Sequence, residues 1–227
     1  MTLSAVLFDL DGTLLDRTTS LQLFLKSQHA RLIAPVSTCT LDAYQTLFLT
    51  FDQNGLVWKD VVYQKLITHF QFEGVTATEL LQDYLSSFAS SSVLFPQTLD
   101  LLQRLSQTYR LGLITNGRSD LQRSVIAHHQ LQTFFDPILI SEEVGLAKPD
   151  PALFLRPVQD WGVTPEQVLF IGDHPLHDIK GAEAVGMTAV LKSNQPVVNS
   201  PSSYTVNDWS ELEPILIQLN SERRSRL

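Results

Sequence analysis

Five short, predominantly apolar stretches, at 5–10, 111–115, 137–140, 168–172 and 188–191, constrain this chain more than any other feature. Each is rich in Val, Ile, Leu or Phe, and none alternates apolar with polar residues as a strand with one wet face does. Continuous hydrophobicity is what a parallel sheet covered by helices on both faces demands. Between these runs lie segments with helical spacing at 98–107, 120–130, 151–161 and 179–185. The first carries Leu99, Leu101, Leu102 and Leu105, most of them on one face, and Gly186 stands where the last should stop. Strand alternating with helix predicts an α/β fold whose parallel sheet is joined by right-handed crossovers.

One region breaks the alternation. From about 18 to 90 there is no strand pattern, only helical periodicity interrupted by Pro35, Gly55 and Gly74. Two consecutive domains would leave the first strand an orphan, so the economical reading is an insertion. The expected architecture is a Rossmann-like, doubly wound parallel sheet core, residues 1–16 and 92–227, with an all-helical cap of residues 17–91 inserted after the first strand. The serines at 86, 87, 90, 91 and 92 mark the expected return hinge. Residues 193–203 read as a loop, and 221–227 as a frayed, solvated tail. The aromatic residues Phe24, Tyr44, Phe48, Phe51, Trp58, Tyr63 and Phe70 recur at roughly helical spacing and are expected mostly in the cap's core. A cap hinged at 14–18 and 88–95 would close over a site on the core, exclude water and set specificity.

Composition bounds the partners. Hydrophobic residues, 44% of the 227, suffice for a core, and the formal charge of −8 opposes bulk nucleic-acid binding or adsorption to an anionic membrane. Cys39 is the only cysteine, which excludes an intrachain disulfide or a cysteine-rich zinc cage. The start lacks a basic region and Asp9 and Asp11 interrupt its apolar run, so it does not read as a signal peptide; no run is long enough to span a bilayer. A cytoplasmic protein is expected.

Ligands of open α/β sheets bind beyond the carboxyl ends of the strands. The apolar runs end in Asp9-Leu-Asp11-Gly12-Thr13, in Thr115-Asn116-Gly117 and in Gly172-Asp173 with Asp178 nearby, and Lys148 follows the 137–140 run. Converging carboxylates cannot all stay ionised without compensation. A divalent cation supplies it, and hard oxygen ligands select Mg²⁺. Carboxylates, a metal and a lysine together attract a phosphoryl group, to which Thr115 and the amides around Asn116 and Gly117 could donate. Asp9-x-Asp11-Gly12 is not a calcium loop, since the glycine falls at position four and Ser20 stands at position twelve. His174 and His177 lack a further soft ligand for zinc. Asp178 reads equally as a functional carboxylate or as the N-cap of the 179–185 helix.

At these residues the chain resembles a known family. Phe8-Asp-Leu-Asp-Gly-Thr13, Thr115-Asn-Gly117, Lys148-Pro-Asp-Pro151 and Gly172-Asp-His-Pro-Leu-His-Asp178 are similar, in order, to the four motifs of the haloacid dehalogenase-like (HAD) hydrolase superfamily, and the insert resembles its helical-cap phosphatases. The resemblance implies Asp9 as nucleophile forming an aspartyl-phosphate, and Asp11 as general acid and base. It implies Mg²⁺ held by the Asp9 carboxylate, the Asp11 carbonyl and Asp173, with Asp178 orienting Lys148 or metal-bound water. Thr115 and Lys148 would hold the phosphoryl oxygens, with Asn116 and Gly117 beside them. The implied activity is hydrolysis of small phosphate monoesters, the substrate a small phosphorylated metabolite. The alternatives are a sugar-phosphate mutase, a dehalogenase, or a non-catalytic protein that binds a phosphoryl ligand. Asp11 favours phosphate chemistry, because a departing halide needs no proton.

Overall fold

The computed structural model describes residues 2–194 and 202–225, and these form two compact units. One comprises residues 1–16 and 94–227, the other 17–93.

The first unit is built on six parallel strands in the order β3-β2-β1-β4-β5-β6. They are β1 (Ala5–Phe8), β2 (Arg110–Thr115), β3 (Ile138–Ile140), β4 (Val168–Gly172), β5 (Thr188–Lys192) and β6 (Tyr204–Val206). Every residue of β1 and β4 is buried, as the unbroken apolar runs required. Successive side chains of β1 point to opposite faces of the sheet. Ala5 and Leu7 join a cluster with Leu153, Phe154, Val158 and Phe170 on one face. On the other, Phe8 meets Trp209 edge-on at 6.3 Å, and the Trp209 indole donates to Thr98 Oγ1 at 2.9 Å.

The second unit holds four helices, α1 (Arg17–Gln28), α2 (Leu41–Asp52), α3 (Lys59–Phe70) and α4 (Ala77–Ser91). Phe24, Tyr44, Phe48 and Tyr63 are fully buried there, whereas Trp58 is 60% exposed and lies outside that core. Gln28 ties the four helices together. Its carbonyl accepts from the Tyr44 and Tyr63 hydroxyls at 2.8 and 3.0 Å, and its amide donates to Leu80 O and Asp83 Oδ2, each at 3.0 Å. A buried polar group is tolerable only when satisfied, and this one is. Asp52, 1% exposed, is ion-paired with both Arg17 and Lys59.

The serine-rich hinge is a correction. Residues 86, 87, 90 and 91 belong to α4, because Leu80, Tyr84 and Phe88 repeat at helical spacing into the core and Ser86 bonds back to Asp83 O at 3.3 Å.

In the first unit the remaining helices are α5 (Thr98–Leu105), α6 (Ser119–His128), α7 (Ser141–Val144), α8 (Pro151–Trp161), α9 (Gly181–Ala184) and α10 (Leu212–Arg224). The frayed end is corrected in part: 221–224 form the last turn of α10, which buries Leu212, Leu216 and Leu219 further back, while Ser221 and Glu222 are exposed as expected. β6 and most of α10 lie in a stretch for which the sequence suggested no element. Of the expected 193–203 loop, residues 195–201 lie outside the described residues, as do 226 and 227 of the tail. No described helix is long and apolar enough to cross a membrane.

Candidate active site

Between β1 and β4 the chain changes direction across the sheet, and ligand crevices of open α/β sheets form at that point. Asp9 follows the last residue of β1, and its backbone N–H donates to Ile171 O of β4 at 2.9 Å. Asp173 follows the last residue of β4. Two carboxylates remote in sequence are thereby set side by side. The turn after β1 is tight, with the N–H groups of Leu14 and Leu15 both donating to Leu10 O at 3.0 and 2.9 Å. Gly12 stands in it at φ +83°, where a β-carbon would lie 2.2 Å from Asp173 Oδ2. At β4 the backbone of Gly172 passes so close to Asp178 that a β-carbon would meet Asp178 Cγ at 2.4 Å.

Lys148 is the cation of the site. It is 5% exposed, and its ammonium donates to Asp9 Oδ1 at 2.5 Å and to Asp178 Oδ1 at 2.7 Å. The other oxygen of Asp9 accepts from the Thr13 hydroxyl at 3.3 Å, and that of Asp178 from the His174 N–H at 2.9 Å. Burial pulls the Lys148 ammonium down, but Asp178 and Asp9 outweigh it and hold it above the ordinary lysine range. Burial pushes the Asp9 carboxyl well above its ordinary value. Lys148 opposes that shift, while Asp178 and Asp173 reinforce it. Asp173 reaches solvent, yet the protein atoms packed around its carboxyl desolvate it, and with the Asp178 charge this pushes it up to about 7.

Oxygens of Asp9, Asp173 and Asp178 lie within 4.8 Å of one another. Among the described residues, Lys148 is the one cation in ion-pair contact with this cluster, and it touches Asp9 and Asp178 but not Asp173. The donor set is all hard oxygen and short of positive charge, which fits Mg²⁺.

Thr115 ends β2, 1% exposed. Asn116 and Gly117 are brought to the site, but their polar groups turn inward. Asn116 Nδ2 donates to Lys148 O at 3.0 Å while Asn116 Oδ1 accepts from Lys148 N at 2.8 Å. This two-point clamp fixes the backbone that carries the ammonium. The Gly117 N–H, expected to face a phosphoryl oxygen, instead donates to Ser141 Oγ at 3.0 Å. Asp178 is not a helix N-cap. The helical segment begins at Pro175, and the His174 ring caps it by accepting from the Leu176 and His177 N–H groups at 3.2 and 3.1 Å. Arg118, next in the chain, forks onto Asp120 at 3.1 and 2.7 Å.

Gln122 escaped notice in the sequence. On α6 it shares a buried face with Val125 and Ile126, and its amide nitrogen lies 2.7 Å from both Asp11 Oδ2 and Thr115 Oγ1. A polar residue in phase with an apolar stripe was the available signal.

The sequence model of the haloacid dehalogenase-like hydrolases matches residues 6–192. A phosphoserine phosphatase of Thermus thermophilus is 45% identical over 80 residues, which are 35% of this chain and only 32% of that protein. A glyceraldehyde 3-phosphate phosphatase of Methanothermobacter thermautotrophicus is 28% identical over 225 residues, 94% of this chain and 100% of its own length. Among solved structures, the HAD hydrolase YfnB of Bacillus subtilis, bound to magnesium, superposes with a TM-score of 0.79 at 26% identity. That match covers 95% of this chain and 99% of the other. With a family match running from β1 to the end of β5, and acidic and basic groups gathered at the ends of those strands, the chain belongs to the haloacid dehalogenase-like hydrolases.

Proposed function

We propose that the protein is a Mg²⁺-dependent phosphatase of small phosphate monoesters that works through an aspartyl-phosphate on Asp9. The observation that carries this reading is the buried Asp9 carboxylate ion-paired to Lys148, with Asp11 two residues further along the same turn. A nucleophile beside a proton donor and a fixed cation is the equipment for phosphoryl transfer to a side chain. Binding a phosphate without reacting would require neither carboxylate.

In the first half-reaction an Asp9 oxygen attacks phosphorus and the bond from phosphorus to the ester oxygen breaks. Asp11 gives its proton to that oxygen, so a neutral alcohol departs. In the second, Asp11 takes a proton from water as the water oxygen attacks phosphorus. The bond to Asp9 breaks, inorganic phosphate leaves, and both carboxyl groups return to their starting states. Lys148, held by Asp178 and by the Asn116 clamp, presents one fixed positive charge to the phosphoryl oxygens, and the Thr115 hydroxyl donates to them. The carboxylates of Asp9 and Asp173 and the Asp11 backbone carbonyl would hold Mg²⁺, which supplies the further positive charge that the phosphoryl oxygens need. Asn116 and Gly117 shape this end of the site through Lys148 and Ser141.

Asp11 separates this reading from a dehalogenase, and the full-length relative is named a phosphatase. Phosphoserine and glyceraldehyde 3-phosphate, named for the relatives, head a substrate panel that continues with other sugar phosphates and nucleotides. The test is inorganic phosphate release from para-nitrophenyl phosphate with Mg²⁺, with chelator, and with Asp9→Asn. Release is expected with Mg²⁺ alone, and Asp11→Asn should slow it by about 10²–10⁴-fold. Activity that survives both chelator and Asp9→Asn would overturn the reading.

A further inference from the structure

We propose that Gln122 is the positioning residue for the proton-transfer step, holding Asp11 and Thr115 in one hydrogen-bonded unit; this rests on the phosphatase reading above. Its side-chain NH₂ carries two hydrogens. Two acceptors lie at 2.7 Å, Asp11 Oδ2 and Thr115 Oγ1, and the Asn116 carbonyl lies at 3.4 Å from the same nitrogen. The Asn116 carbonyl can only accept, so the end of the amide that faces it is the nitrogen. Turning the amide over would set its oxygen against that carbonyl and the Asp11 carboxylate.

Two consequences follow from who donates. The Thr115 oxygen accepts from Gln122, which leaves the hydroxyl's own hydrogen for an oxygen beyond the end of β2. One oxygen of Asp11 is likewise occupied as an acceptor, so the proton that Asp11 delivers rides on the other, Oδ1. An amide neither gives up nor takes a proton near neutrality. The contact to Oδ2 therefore persists whether Asp11 is an acid or a carboxylate, and it holds that side chain through both half-reactions. A glutamate in this place would repel Asp11, and a lysine would add a charge that alters the proton balance.

The fold commits this side chain to the task. Gln122 is 3% exposed, on the inward face of α6. Gly117, at φ +147°, gives it passage, since a β-carbon there would press on Gln122 Cγ at 3.3 Å. The amide of Gly117 is spent on Ser141, so the glycine of this turn serves the glutamine rather than the ligand.

A residue that aims a general acid matters most when the leaving group is poor. The test compares kcat/KM for para-nitrophenyl phosphate, whose leaving group departs with little help, against β-glycerophosphate, whose alkoxide needs a proton. Gln122→Met keeps the length and removes both donors. It should lower kcat/KM for β-glycerophosphate by about 10- to 100-fold, the worth of one lost hydrogen bond to a charged group. The loss for para-nitrophenyl phosphate should be several times smaller. In an Asp11→Asn background the same substitution should cost several times less, because the part of its effect that runs through Asp11 is already lost. Gln122→Asn, too short to reach both partners, provides the same comparison if the methionine variant folds poorly. Equal losses on the two substrates, or full additivity with Asp11→Asn, would overturn the assignment while leaving the phosphatase reading intact. A wild-type chain that releases no phosphate would overturn both.

Discussion

At the scale of single residues, the site is set by backbone that runs where no side chain fits. Gly12 does two things at once: it adopts a φ of +83° that other residues avoid, and it leaves room for the Asp173 carboxylate. Gly12→Ala would cost about 1–2 kcal/mol in backbone strain alone. Its β-carbon would also push Asp173 away from Asp9. The expected outcome is a modest drop in the denaturation midpoint with a much larger loss of Mg²⁺-dependent turnover, measured by urea unfolding and by phosphate release across a Mg²⁺ titration. Asp9, Asp11 and Asp173 stand where apolar runs stop, and Lys148 lies in the loop that follows another, which is what drew attention to them in the sequence. Gln122 was not, because its phase with Val125 and Ile126 marks it as inward-facing but only the folded chain shows what it meets.

At the scale of elements, the four-helix unit is held by polar contacts as well as by its aromatic core. Burial pushes the Asp52 carboxyl up, but Arg17 and Lys59 outweigh burial and hold it below the ordinary range. A carboxyl whose value is lower in the folded than in the unfolded chain adds stability above the unfolded value, and that stability drains away as pH falls through the folded one. Wild type should therefore keep this contribution down to about pH 4 and lose it below. Asp52→Asn should be less stable at pH 7 by about 3–5 kcal/mol, since two cations lose their buried partner. The gap between the two proteins should narrow as the solution is acidified, as read by urea denaturation at pH 7, 4.5 and 3. None of this was visible in the sequence. Asp52 is 35 residues from Arg17, and only the packing of α1 against α2 brings them together at 2.6 Å. The elements missed by sequence, β6 and most of α10, lack the long unbroken hydrophobic run that marks a central strand. β6 lies at the sheet edge with a burial pattern that is mostly intermediate.

At the scale of the whole molecule, the sheet order decides that there is a site. Strands β1 and β4 are neighbours although Phe8 and its register partner Ile171 stand 163 residues apart in the chain. The carboxylates of Asp9, Asp11, Asp173 and Asp178 gather near those strand ends, and among the described residues the Lys148 ammonium is the one cation in ion-pair contact with them, through Asp9 and Asp178. A cation that binds only the folded chain raises its stability by mass action, by about 2.7 kcal/mol at a hundred times its Kd. For a chain of this size that is a rise of roughly 5–10 °C in Tm. Saturating Mg²⁺ should produce such a rise, chelator should reverse it, and Asp173→Asn should abolish most of it, as measured by differential scanning calorimetry. A melting temperature indifferent to Mg²⁺ would count against a metal at this cluster.

The first five strands, the helices between the last four of them and the acidic residues beyond their ends were readable from the chain, because hydrophobic periodicity and turn chemistry are local properties. Tertiary structure alone decided what those residues do to one another. It turned Asn116 onto the Lys148 backbone and the Gly117 amide onto Ser141, gave the helix cap to His174 rather than Asp178, and brought Gln122 to Asp11. Hydrogen bonds are short and directional, so which partners meet depends on distances that no pattern of residue types along a chain encodes.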